Sequence, residues 1–215
     1  MILGLSDNSE KKIELKIKSK LEQKKKKKTL DDGFKKNKVV NEVLDKTTIL
    51  QLYDLINSKI ISYVHGVVKA GKESVVFWAK KEFQNISKCY DCGINVVKPI
   101  HISKNVLVME FIGIDGKPEK NLLESHVVEN DYHQSLKIIS DLYHKANLVH
   151  GDFSEYNIFK TKNGLKLFDL GSAVDLEHPH SNDLLKRDIN NISNFFVKRG
   201  LTVENPLDVF ERITK

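Results

Sequence analysis

Two cysteines, Cys89 and Cys92, are all that 215 residues contain, too few to staple a secreted scaffold through disulfides. No apolar run approaches the roughly 20 residues that a bilayer helix needs. The opening MILGLSDNSE places acidic and polar groups where a signal peptide would carry a basic flank and a longer apolar stretch. These absences point to a soluble, cytoplasmic protein without a membrane partner. CYDC (Cys89–Cys92) also lacks the second pair of ligands that a zinc site would require, so both thiols read as packing residues near a helix end at Gly93. No internal repeat is visible.

With 40% hydrophobic residues, the chain can bury one sizeable core or two small lobes around a cleft. Its formal charge of +6 favours an anionic partner, but much of the excess lies in KKKKK, Lys24–Lys28. Residues 1–38 therefore read as a basic, disordered tail suited to RNA by counterion release, without sequence preference.

Ile49, Leu52, Tyr53 and Ile56 recur at helical spacing and predict a helix from Thr47. Val64–Val68 and Ser74–Phe77 read as short strands around a glycine loop, and VLVMEF (Val106–Phe111) as a buried strand. Tyr132, Leu136, Ile139 and Tyr143 mark a long helix that stops before LVHGD. Ile158–Lys160 and Leu165–Phe168 flank Asn163-Gly164, a dipeptide suited to a hairpin turn. Leu185, Ile189, Ile192 and Phe196 line a further helix, and Asn205-Pro206 starts a last one. Strands early and helices late give an α+β class.

The strongest constellation is HGDFSEYN, His150–Asn157, with Asp169 of FDLG following twelve positions after Asn157. Phosphoryl transfer from ATP needs a carboxylate to orient or deprotonate the acceptor, and oxygen ligands to hold magnesium against the phosphates. Asp152 fits the first role; Asn157 and Asp169 fit the second. Asp152 and Asn157 share a loop, and the hairpin folds Asp169 back beside them. One such residue alone would be an ordinary turn residue; three in order, with Gly171 letting the chain turn, point to a site. His150 reads as a structural partner of this loop, and His178 and His180, around Pro179, as surface residues. GVVKAGKE, Gly66–Glu73, nearly satisfies the Walker pattern. Glu73 stands where serine or threonine should hold magnesium, and the run that follows reads as strand, which excludes a P-loop NTPase.

HGDFSEYNIF, NVLVMEFIGIDGKP, AVDLEHP and LLKRDINNISNFF together resemble the RIO family of atypical serine/threonine kinases and ATPases, its first branch in particular. GVVKAGKESVVF and DKTTILQLYDLINSKII resemble the family's opening segments, so the likeness covers most of residues 40–200. The second branch would carry a winged-helix domain in front, which a short lysine tail cannot form. The resemblance implies a two-lobed protein-kinase-like α+β fold over residues 39–215, with the small lobe at about 39–112 and the helical lobe at about 113–215. It implies Asp152 as the catalytic aspartate, Asn157 and Asp169 as magnesium ligands, and Asp169 as a phosphoryl acceptor in ATP hydrolysis. Met109–Ile112 becomes the hinge, whose backbone near Glu110 and Ile112 meets adenine. Lys72, Glu73 and Ser74 belong to the loop over the triphosphate, and Glu82 is the helix glutamate that pairs with the ATP-binding lysine. ATP, magnesium, and the pre-ribosomal small subunit with its rRNA are the implied substrate, cofactor and partners. Gly151 replaces the arginine of an HRD motif, and no APE segment follows FDLG, which favours an ATPase with a small substrate-binding face.

One part of the pattern is missing. In the family, a strand after the GKE loop carries the lysine; here SVVF runs straight into WAKKEFQNI. Losing a central strand would expose two sheet edges and weaken the nucleotide grip. An omitted coding segment accounts for this better than replacement by Lys72, Lys80 or Lys81, or loss of catalysis, because the magnesium-site residues all survive. Two rivals stand beside this reading: a small-molecule phosphotransferase, which would share HGD and the downstream asparagine, and a pre-ribosome-binding module without turnover.

Overall fold

A computed structural model describes residues 46–62, 76–114 and 116–215. The expected basic tail, the Val64–Val68 strand and the loop residues Lys72, Glu73 and Ser74 lie outside the described residues. The chain divides into two compact units, Met1–Ala70 and Gly71–Lys215.

In the first unit, helix α1 spans Lys46–Asn57. Ile49, Leu52, Tyr53 and Ile56 are half-buried, while Gln51 and Leu55, one turn apart, are the deepest positions. Lys59 takes a left-handed conformation (φ 60°), and the Ile60 amide returns to the Leu55 carbonyl, which closes the helix end.

The second unit opens with α2, Val76–Asp91. This corrects the sequence expectation: Val76 and Phe77, read as the end of a strand, form the first turn of this helix. A β-branched residue followed by an aromatic one favours a strand locally, but the pair heads a sixteen-residue amphipathic segment whose tertiary packing decides the outcome. With a helix from Val76 in place of a strand, only Glu73 still opposes a P-loop. Helix α2 ends as expected at Gly93 (φ 70°), where the Ile94 amide caps the Cys89 carbonyl.

Among the described residues, four two-stranded antiparallel ribbons follow. β1 (Pro99–Ser103) pairs with β2 (Val106–Met109), with a bulge between Pro99 and His101. The strand expected to reach Phe111 stops at Met109. β3 (Gly113–Ile114) pairs with β4 (Lys117–Pro118), and β5 (Leu148–Val149) with β8 (Val174–Asp175). β6 (Ile158–Thr161) and β7 (Gly164–Leu167) form the hairpin before Asp169. Its register is one residue off expectation: Lys162 and Asn163 make the turn, and Gly164 pairs with Thr161. Gly164 sits at φ 110°, a backbone conformation that favours glycine, and a Cβ there would displace Gln134 Oε1, 2.5 Å away.

Helix α3 (Glu129–Ala146) is started by Asp131, which accepts the Val128 amide at 2.8 Å, and is ended by left-handed Asn147. Helices α4 (Ser181–Lys198) and α5 (Pro206–Thr214) follow the predicted pattern, with Asn205 accepting the Leu207 amide at 3.0 Å as the cap of α5. One core joins α2, α3, α4 and the β6–β7 hairpin: Ile86, Leu142, Phe153, Leu167, Ile189 and Phe196 are fully buried in it.

Candidate active site

The HGDFSEYN loop connects β5 to β6. Gly151 has φ 76°, and a Cβ would lie 3.1 Å from the Ser172 carbonyl oxygen, so the position needs glycine for its backbone. Sequence comparison with HRD showed only a lost arginine there. On either side of exposed Asp152, the amides of Gly151 and Phe153 donate to the two carboxylate oxygens of Asp188, at 2.8 and 3.0 Å. Arg187 donates to the Gly151 carbonyl. Two adjacent residues of α4 thus hold the loop that presents Asp152. Asp188 was missed as a site residue, although a signal existed: a carboxylate sits on the apolar stripe Leu185, Ile189, Ile192. Burial pushes its pKa up from 3.8 to about 6, against the pull of the two amides and Arg187.

His150 is buried, with its ring edge-on to Phe153 (5.4 Å) and its Nδ1 accepting the Asp152 amide at 3.2 Å. Burial lowers its pKa, with Asp169 and Asp152 opposing. A neutral ring buried in this way is part of the loop's frame, as the sequence reading has it.

Asn157 and Asp169 are joined through the hairpin ends. The Phe168 amide donates to the Asn157 carbonyl at 3.1 Å, which sets Asp169 one residue from the start of the hairpin. Asn157 Nδ2 donates to the Asp152 carbonyl at 3.1 Å, leaving its side-chain oxygen for another partner. Asp169 Oδ1 accepts the Gly171 amide at 3.1 Å. These are hard oxygen donors of the kind magnesium takes. Among the described residues, no group of three or more His, Cys, Asp or Glu side chains could hold a metal.

Helix α2 brings Glu82 to this point. Asn85 Nδ2 donates to the Leu170 carbonyl at 3.0 Å, and a Cβ on Gly171 would meet both Asp169 Oδ1 (3.5 Å) and Glu82 Oε2 (3.9 Å). Burial first, and the Asp169 charge second, push Glu82 up to about 7. Among the described residues, no ion pair involves it.

After β2, Glu110 keeps one ladder bond and Ile112 pairs elsewhere. The Glu110 amide donates to the Lys98 carbonyl at 2.9 Å, and the Ile112 carbonyl accepts the Glu119 amide at 2.9 Å. Among the described residues, no backbone hydrogen bond uses the Glu110 carbonyl or the Ile112 amide. Met109 is half-buried and packs on the core. Elsewhere, Cys89 is fully buried, Cys92 donates to the Lys145 carbonyl at 3.3 Å, and His178 and His180 are exposed in the loop before α4.

Comparison with known proteins places this geometry. Residues 59–208 match the RIO domain. The chain is 29% identical over 227 aligned residues to serine/threonine-protein kinase rio1 of Dictyostelium discoideum, covering 80% of this chain and 40% of that protein. It is 37% identical over 139 residues to the RIO-type serine/threonine-protein kinase Rio1 of Haloferax volcanii, covering 64% and 47%. It thus spans less than half the length of these relatives. The crystal structure of the Rio2 kinase from Chaetomium thermophilum, an ADP/Mg2+-phosphoaspartate complex, superposes with a TM-score of 0.53 at 24% identity, over 69% of this chain and 48% of that one. That likeness establishes the shared kinase-like α+β fold. With the family match spanning well over half its length, the chain belongs to the RIO family of serine/threonine protein kinases.

Proposed function

We propose that this chain binds ATP with magnesium and removes or transfers its terminal phosphate, as a RIO-type kinase or ATPase acting in small ribosomal subunit maturation. The observation that carries the reading is the anchoring of Asn157: its amide nitrogen is spent on the Asp152 carbonyl, and its backbone carbonyl accepts the amide of Phe168, the residue before Asp169. Asn157 and Asp169 would hold the magnesium, which neutralises phosphate charge when bound. Asp152, exposed on its clamped loop, orients or deprotonates the attacking group. Asp169 is also the candidate phosphoryl acceptor, since the Chaetomium relative is described as a phosphoaspartate complex. The Glu110 carbonyl and Ile112 amide are suited to the adenine edge. The lysine tail is the segment suited to rRNA, by charge alone.

The reading also includes an absent lysine strand. The Dictyostelium alignment supports it: 227 aligned positions exceed the 215 residues of this chain, so that relative carries segments with no counterpart here. Glu82, without an ion pair among the described residues, favours a second reading, a pre-ribosome-binding module without turnover. An ATPase assay separates the two. The enzyme reading expects magnesium-dependent release of phosphate that drops to background in Asp169→Asn; equal background rates in both chains leave only the binding module.

A further inference from the structure

This inference rests on the nucleotide-binding reading and concerns the hinge side chains, which have no part in it so far. In an antiparallel ladder, a hydrogen-bonded residue pair exchanges two N–H to C=O bonds. Lys98 and Glu110 make only one. The Glu110 amide donates to the Lys98 carbonyl at 2.9 Å, but the Lys98 amide donates to Glu110 Oε1 at 2.6 Å. The carboxylate has taken the place of its own carbonyl.

Lys166 holds it there, with Nζ 2.5 Å from Glu110 Oε1. Lys166 lies in β7, three residues before Asp169. β7 is itself joined to the segment leading into Lys98: the Val97 amide donates to the Leu167 carbonyl at 2.9 Å, and the Leu167 amide to the Asn95 carbonyl at 3.0 Å. Hinge and catalytic hairpin are thereby locked at one corner. Both side chains are about three-quarters covered (25% and 30% exposed), so solvent screens this pair less than an ordinary surface contact. Burial raises the Glu110 pKa, but Lys166 and Lys98 more than offset it and hold the carboxyl below its usual range.

We propose that Glu110 and Lys166 are positioning residues that keep the Glu110 backbone carbonyl out of the ladder, as the acceptor for the 6-amino group of an adenine nucleotide, and so set selection against 6-oxopurines. A 6-oxopurine would place its own acceptor against that carbonyl, leaving both without a donor. With the carboxylate removed, the Lys98 amide closes onto the carbonyl and the difference between the two bases shrinks.

The test is competition of ATP and of inosine triphosphate against a fluorescent ATP analogue on the full chain, with folding followed by circular dichroism. The wild-type chain is expected to prefer ATP. Glu110→Leu lowers ATP affinity about five- to tenfold, the worth of one hydrogen bond, with little change for inosine triphosphate. Lys166→Met lowers the preference about two- to threefold, on the order of a weakly screened ion pair, and Lys166→Arg keeps it. An unchanged preference in Glu110→Leu and Lys166→Met overturns the proposal and leaves nucleotide binding intact. If Glu110→Leu does not fold, an unchanged preference in Lys166→Met alone overturns it. A wild-type chain that binds neither nucleotide overturns the proposal and the reading beneath it.

Discussion

The Asp188 carboxylate accepts the Gly151 amide at 2.8 Å, from a helix 37 residues further along the chain. With Phe153 on its other oxygen, it fixes both neighbours of Asp152. Asp188→Ala leaves two buried amides without acceptors and should cost about 3 kcal/mol, at roughly 1–3 kcal/mol for each. Urea denaturation checks this; a loss under about 1 kcal/mol would mean the loop is held by other contacts.

The same carboxylate sets a pH dependence. Its folded pKa of about 6 lies above the unfolded value of 3.8, because burial outweighs the two amides. A raised carboxylate pKa means the folded state binds the proton more tightly, so this group's contribution to stability is greatest at low pH. It is lost as pH rises from about 4 to about 6, by about 3 kcal/mol. Denaturation of wild type and Asp188→Asn across pH 4–7 should show a stability difference that changes in this window and is flat above it.

Gly151→Ala tests the loop backbone. A methyl group at φ 76°, 3.1 Å from the Ser172 carbonyl, should destabilise the fold by about 1–2 kcal/mol. Phosphate release should fall more than stability does, because Asp152 is the next residue. A melting temperature and rate equal to wild type would contradict the strain.

The thiols should behave unequally. Burial, with Cys92 beside it, pushes Cys89 up to about 12 despite Lys88, whereas Cys92 is partly exposed. Alkylation at pH 8 should modify one thiol in the native chain and both in denaturant. Fast modification of both would contradict the packing.

Which parts were legible follows from where the determining contacts lie. The helices of the second half announced themselves because apolar spacing and Asn205-Pro206 are local signals, as did the end of α2 at Gly93. So did the placement of Asp152 and Asn157 on one loop and of Asp169 just after the hairpin, because Asn163-Gly164 marks a turn between two short apolar runs. Asp188 did not, because its role is a contact across 37 residues. Gly151 was read as a missing arginine, since a positive φ leaves no other trace. The helix start at Val76 was hidden by β-branched residues, whose preference gave way to packing of the segment behind them.

If the chain lacks the lysine strand, as proposed, titration with a fluorescent ATP analogue should show weak binding, and submicromolar affinity would mean that the lysine is dispensable or replaced.

The central claim is that Asn157 and Asp169 hold one divalent ion against the phosphates that Asp152 serves. Manganese titration followed by electron paramagnetic resonance, with a non-hydrolysable ATP analogue present, addresses it most directly. The account predicts one ion per chain in wild type and Asp152→Asn, and its loss in Asn157→Ala and Asp169→Asn. Undiminished manganese binding in Asp169→Asn would contradict it.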